Sequence, residues 1–196
     1  NGASVTNLTD VDGGEVVLYA IWAPITYTVK FDGHGSTSGT MANFTATYDE
    51  VHAFPTNNYV REGHDFIGWS TTTSIDNKID NIYNLASTQG AVVTIYAIWQ
   101  IQTFDIRFEF EFGREPIHFT GVTYGTQLST LELPNLDLLG HQFIEWRENG
   151  VGVNLATVYA NSNKTFVAHY VAKEYNVVFL IDGTATYQLQ NVTYGT

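Results

Sequence analysis

The chain has 196 residues and sets 8 Lys plus Arg against 20 Asp plus Glu, a formal net charge of -12. That sign repels phosphate polymers and anionic membrane surfaces, so no nucleic-acid partner is expected. The absence of cysteine removes disulfide and thiol chemistry, and 44% hydrophobic with 14% aromatic residues is far more than a disordered spacer carries.

Taken from the N-terminus, Asp10-Val11-Asp12-Gly13-Gly14 reads as a turn. Val16 to Trp22 reads as a strand, apolar almost throughout. Ala23 to Thr26 is a four-residue link. Tyr27, Val29 and Phe31 then alternate with Thr28, Lys30 and Asp32, the period of a half-buried strand, and Asp32-Gly33-His34-Gly35 turns it. Asn43 to Tyr48 is the return strand. Between Glu50 and Glu62 no period holds, and Pro55 with Asn57-Asn58 interrupts it, so at most one short helix or an irregular crossover fits there. Gly63-His64-Asp65-Phe66-Ile67-Gly68-Trp69 follows and is read as the central strand of its unit, with alternate aromatics on one face. A loop over 71–90 leads to the closing strand, Val92 to Trp99.

The plan then starts again. Phe104, Ile106, Phe108, Phe110 and Phe112 alternate with Asp105, Arg107, Glu109 and Glu111, and Pro134 divides the leucine-rich stretch Leu128 to Leu139. Gly140-His141-Gln142-Phe143-Ile144-Glu145-Trp146 repeats the earlier phrase, and Asn149-Gly150 supplies a tight turn behind it. Tyr19-Ala20-Ile21-Trp22 returns as Tyr96-Ala97-Ile98-Trp99 and, degraded, as Val167-Ala168-His169-Tyr170. Phe31, Phe108 and Phe179 fall in register, as do Tyr48, Tyr124 and Tyr194. Phe to Trp is the same distance in both copies, so the difference in period lies behind the Trp, in a loop of variable length. The chain therefore divides into the tail of one unit (1–22), two whole units (23–99 and 100–170) and the head of another (171–196). Units of this size bury a modest fraction of their surface, so contacts between neighbours are expected to add stability. The links Ala23–Thr26, Gln100–Thr103 and Val171–Glu174 reach at most ~14 Å, which keeps neighbours in touch.

The strand-turn Phe31-Asp32-Gly33-x-Gly35, the return Tyr48 or Tyr124-Gly125, the phrase Gly-x-x-Phe-x-x-Trp and the closing Tyr-Ala-x-Trp together resemble the internalin B-repeat, or Listeria-Bacteroides repeat, family. The resemblance covers nearly the whole chain. It implies mainly β (α+β) architecture, tandem small β-grasp-like domains with at most one short helix each, and a place in multi-copy bacterial surface proteins as stalk or interaction modules without catalysis. Its signature residues here are Gly63, Phe66, Trp69, Trp99, Gly140, Phe143, Trp146 and Tyr170. Two departures stand out: His64 and His141 occupy a site where the family often has Tyr, and Tyr170 replaces a final Trp. The absence of disulfides also suits a bacterial surface repeat better than a secreted eukaryotic domain.

Candidate chemistry is sparse. The six histidines form no local ligand pair, and zinc without cysteine would need distant groups brought together. Asp10-x-Asp12-Gly13-Gly14-Glu15 lacks the full oxygen set of a calcium loop, and Asp76 and Asp80 read as solvated loop carboxylates. No Gly-x-Ser-x-Gly or phosphate loop occurs, so no catalytic residue, metal site or cofactor is expected. Lys30, Lys78, Lys164 and Lys173 read as solvated rather than as isopeptide donors. Trp22, Trp69, Trp99 and Trp146 read as core pillars in preference to sugar-stacking platforms. No stretch is long and apolar enough to span a bilayer, so membrane insertion is not expected of this segment. The expectation is a non-enzymatic, extracellular, bacterial surface segment acting as a semi-rigid spacer whose partners are its neighbouring repeats. The alternatives are direct binding of a host or cell-surface protein or glycan, through the variable loops or a sheet edge, and self-association into a filament.

Overall fold

The computed structural model describes residues 8–195; residues 1–7 of the expected tail and Thr196 lie outside them. Two five-stranded sheets of the same plan follow one another. The first contains β1 (Thr26–Asp32), β2 (Phe44–Thr47), β3 (His64–Ser70), β4 (Lys78–Ile79) and β5 (Val92–Ile101) in the order β2-β1-β5-β3-β4. The second contains β6 (Thr103–Glu109), β7 (Ile117–Thr123), β8 (His141–Glu148), β9 (Val151–Val153) and β10 (Lys164–Ala172) in the order β7-β6-β10-β8-β9. A hairpin of β11 (Glu174–Ile181) and β12 (Thr184–Thr193) ends the described chain.

The alternating apolar positions predicted for β1 are buried as read, with Tyr27, Val29 and Phe31 all inside. In the second unit Ile106 and Phe108 do the same, but β6 ends at Glu109 and Phe112 turns out of the sheet with a φ of 60°. Each unit has its own core. Trp69 belongs to one apolar cluster with Phe31, Ile82 and Ile95, and Trp146 to another with Phe108, Leu155 and Phe166. Trp22 does not share that fate: it is 87% exposed, and Val16 to Trp22 forms no strand. The physical reason lies in the strand order. A closing strand pairs parallel with its unit's first strand and antiparallel with its signature strand, and among the described residues neither neighbour of that kind lies beside Val16 to Trp22.

The same order corrects the position of the signature strand. The closing strands β5 and β10 are central, while β3 and β8 lie one place further out, against the short β4 and β9. A regular strand would also put Phe66 and Trp69, three residues apart, on opposite faces. A bulge at Ile67, between the pairs Phe66↔Trp99 and Gly68↔Ile98, turns both rings into the core, and Ile144 plays that part between Phe143↔Tyr170 and Glu145↔His169. The Phe-x-x-Trp spacing is thus the sequence trace of a bulge. The ring centroids of Phe66 and Trp69 lie 5.3 Å apart, and those of Phe143 and Trp146 lie 5.5 Å apart.

Helix is nearly absent among the described residues. Residues 50–62 form the irregular crossover, tied by bridges from His52 to Ile82 and from Val60 to Ser38, and the helical content is three single 3-10 turns. Residues 71–90 are more than a surface loop, because they supply β4 and bury Ile82. Asn149 and Gly150, with φ of 50° and 80°, make the tight turn from β8 to β9 that an Asn-Gly pair favours.

Candidate functional site

The contacts between successive units form the most specific arrangement in the molecule. Only Gln102 separates β5 from β6, and only Lys173 separates β10 from β11, so the four-residue links expected from the sequence are in fact mostly strand. Gln102 donates its backbone N–H to the Gly63 carbonyl (2.9 Å) and accepts from the Tyr124 N–H (2.9 Å). Lys173 repeats the relay, donating to the Gly140 carbonyl (2.8 Å) and accepting from Tyr194 (2.9 Å). One linking residue thereby ties the glycine opening a signature strand to the return tyrosine of the next unit.

The glycines have two reasons to be glycines. Gly63 and Gly140 have φ of 66° and 72°, in the left-handed region, and a Cβ at either would stand 2.1 or 2.2 Å from Cδ1 of Tyr124 or Tyr194. The tyrosine ring therefore lies on a backbone surface that no other residue provides. His64 and His141 support the turn from behind. Each Nδ1–H donates to the carbonyl two residues earlier, Glu62 at 2.8 Å and Leu139 at 3.1 Å, since a carbonyl oxygen only accepts. The His141 ring also meets Tyr194 edge-on at 5.6 Å. These histidines shape the joint.

The two joints differ in their side-chain contacts, and in the first the linking Gln102 also donates its Nε2–H to Asp65 Oδ1 at 2.7 Å. The Tyr124 hydroxyl donates to Glu62 Oε1 at 2.7 Å, whereas Leu139 stands at the matching place in the second joint. The hydrogen bond to Glu62 raises the phenol above its ordinary value of 10.0, aided by desolvation and the repulsion of the Glu62 charge. A raised phenol favours its neutral form in the joined state, so this contribution is complete below that ordinary value and is lost as pH rises through the raised one. Residual dipolar couplings between the units should therefore shrink on alkaline titration, and Tyr124→Phe should show neither the bond nor that pH dependence. An unchanged titration in the variant would refute the assignment.

Of the remaining signature residues, Trp69 and Trp146 are buried within separate units, each against the Phe of its own bulged strand. Trp99 is half-buried, and its indole N–H donates to the Gly33 carbonyl at 2.9 Å. Tyr170 fills the matching place beside Phe143, ring centroids 5.7 Å apart. Lys164, read from the sequence as solvated, is instead partly buried with its ammonium 3.3 Å from Glu148. Asp76 is engaged in its own turn with Ser74, and Asp10 and Asp12 are exposed. Among the described residues no three His, Asp or Glu side chains converge as metal ligands. A groove of about 560 Å³ lies in the second unit, lined by Leu131, Leu133, Phe143, Trp146, Val153 and Leu155.

What sequence reading missed here was the pairing of Gly63 with Tyr124 and of Gly140 with Tyr194. Both partners recur in the repeat pattern, so the signal was present, but contact between them depends on how one unit is set against the next.

The fold and these joints define a class: a β protein built of serial, similarly wound small units. Residues 27–98 match the Listeria-Bacteroides repeat domain. Two proteins of Evansella cellulosilytica are similar to the chain. One, named "Putative Gly-rich membrane protein", is 26% identical over 97% of this chain and 22% of its own length. The other, named "Putative membrane protein", is 26% identical over 83% of this chain and 24% of its own length. The chain thus spans less than a quarter of either relative. No helix among the described residues is long and apolar enough to cross a membrane.

Proposed function

We propose that this segment is a non-enzymatic spacer of a bacterial cell-surface or extracellular protein, holding what it carries at a set distance through successive β-grasp-like units of the internalin B-repeat type. The observation that carries this reading is the repeated joint, in which a one-residue link, two backbone hydrogen bonds and a ring on glycine recur at both boundaries. The strand order, with first and closing strands parallel at the middle of the sheet, supports the β-grasp-like reading, the irregular crossover standing where a helix would lie. The names of the relatives and the family match support a surface location. Such units act mechanically. Their partners are the neighbouring repeats, and at one edge of each sheet the two-residue β4 or three-residue β9 discourages pairing with other chains.

Small-angle scattering combined with size-exclusion chromatography tests the proposal. The expected particle is an elongated monomer whose dimensions are independent of concentration and unchanged when the exposed residues 71–73 are replaced. The exchange is confined to those residues because Ile82 is core and β4 pairs with β3. A compact particle, or growth with concentration, would contradict it, the latter in favour of a filament.

The groove of the second unit favours a second reading, direct binding of a host protein or glycan. Its floor combines Phe143 and Trp146 with apolar walls, and Glu145 with its partner Arg147 (2.8 Å) offers a polar group at the rim. Leu133→Asp should abolish binding in a glycan and cell-surface protein screen while leaving the scattering profile intact. Binding that survives the substitution would dismiss the groove.

A further inference from the structure

We propose that Ile25 and Tyr48 form the receiving half of a third joint, and that its occupant is the glycine turn opening the signature strand of another unit of this build, placed before Thr26. The proposal rests on the spacer reading and names a partner for one of its faces.

Half of the relay already exists. Tyr48 donates its backbone N–H to the Ile25 carbonyl at 2.8 Å, as Tyr124 does to Gln102 and Tyr194 to Lys173, both at 2.9 Å. Ile25, Gln102 and Lys173 fall at one place in the repeat. The chain also leaves each of these tyrosines in the same way, through a residue in the left-handed region: Asp49 with φ of 64°, Gly125 with 80° and Gly195 with 86°. Asp49 has a Cβ and disfavours that conformation. It is held there by a reciprocal clasp, its N–H donating to Asn84 Oδ1 at 2.6 Å and Asn84 Nδ2 donating back to its carboxylate at 2.8 Å. A disfavoured geometry maintained from 35 residues away thus gives the backbone after Tyr48 the left-handed exit that follows Tyr124 and Tyr194.

The segment leading into this half-joint identifies the occupant. Tyr19-Ala20-Ile21-Trp22 repeats Tyr96-Ala97-Ile98-Trp99, the strand end that enters the formed Gly63 joint, and the same number of residues separates Trp22 from Ile25 as separates Trp99 from Gln102. Tyr19, Ile21 and Trp22 are 84%, 95% and 87% exposed, whereas Ile98 is buried in a sheet. That pattern belongs to a closing strand waiting for its own unit, and the unit that supplies a sheet for it also supplies the glycine.

The test inserts a second copy of residues 100–170 between Trp22 and Ala23 of the full chain, so that a new Gly140 turn precedes Tyr48 while Ile25 remains unique. Hydrogen exchange by NMR reads the Ile25 amide, which in a formed joint donates to the glycine carbonyl. The expected result is exchange slowed roughly tenfold or more, to the range of Gln102, and reversed by Gly140→Ala in the inserted copy alone. Inserting a second copy of residues 23–99 there instead presents Gly63 to the same seat and should protect the downstream Ile25 equally; this covers the case in which the first insertion folds poorly. Fast exchange at Ile25 with Gln102 still protected would overturn this proposal and leave the spacer reading standing. Fast exchange at Gln102 in the unmodified chain would overturn both.

Discussion

Trp69→Ala should destabilise the first unit by about 3–5 kcal/mol, the usual cost of emptying a large aromatic site in a packed core. Trp69 is 1% exposed and meets four rings: Phe31 at 4.9 Å, Phe66 at 5.3 Å, Tyr59 at 6.3 Å and Phe54 at 6.5 Å. Those four come from the first strand, the bulged strand and the crossover, so removing the indole takes a shared partner from three parts of the unit at once. A unit of this size has a total stability of only roughly 4–11 kcal/mol by the general per-residue scale, so much of the folded population would be lost. Chemical denaturation followed through signals from each unit should show the first transition moving far to lower denaturant and the second moving less. Trp146→Ala should reverse that pattern, since Trp146 lies in the other core beside Phe108 at 4.9 Å. Trp22→Ala, at a site 87% exposed, should change stability by no more than about 0.5 kcal/mol. Equal shifts for Trp22 and Trp69 would invalidate the division between core and exposed tryptophans drawn above.

The second large effect is on coupling between units. Gly63→Ala places a methyl group 2.1 Å from the Tyr124 ring at a backbone φ of 66°. The left-handed conformation alone costs an L-residue roughly 1–2 kcal/mol, and displacing a packed ring adds roughly 1–3 kcal/mol. The ring is part of the next unit and is free to leave, so the strain should be relieved by opening the joint more than by unfolding either core. The expected signature is a faster-exchanging Gln102 amide and a wider distribution of dimensions in scattering, with the tryptophan environments of both units unchanged. Gly140→Ala should act the same way on Lys173 and Tyr194, because its Cβ would stand 2.2 Å from that ring. Intact coupling in both variants would show that the seats are incidental contacts.

Individual residues show why part of this was legible beforehand. Alternation from Tyr27 to Asp32 is a local consequence of the strand period, so the buried set Tyr27, Val29 and Phe31 followed from the order of residues alone. Recurrence of Phe-x-x-Trp marked both core tryptophans correctly, although the reason for the spacing, a bulge at Ile67 and Ile144, is set by pairing with β5 and β10. The signature strand was mistaken for the central one because strand order is a relation among distant segments and leaves no periodic trace in any single one. Trp22 was misjudged for the same reason: an apolar closing strand is buried only when its two neighbours are in place.

Sequence by itself determined the repeat, the register of its copies and the aromatic composition of the cores, since all of these are patterns along the chain. Tertiary structure decided that the closing strands are central, that residues 71–90 feed the core through Ile82, and that Tyr124 and Tyr194 rest on Gly63 and Gly140. The reason is one of range. A period is written between neighbouring residues, whereas Tyr124 finds Glu62 across 62 positions only after two sheets have formed and a single linking residue has set one against the other.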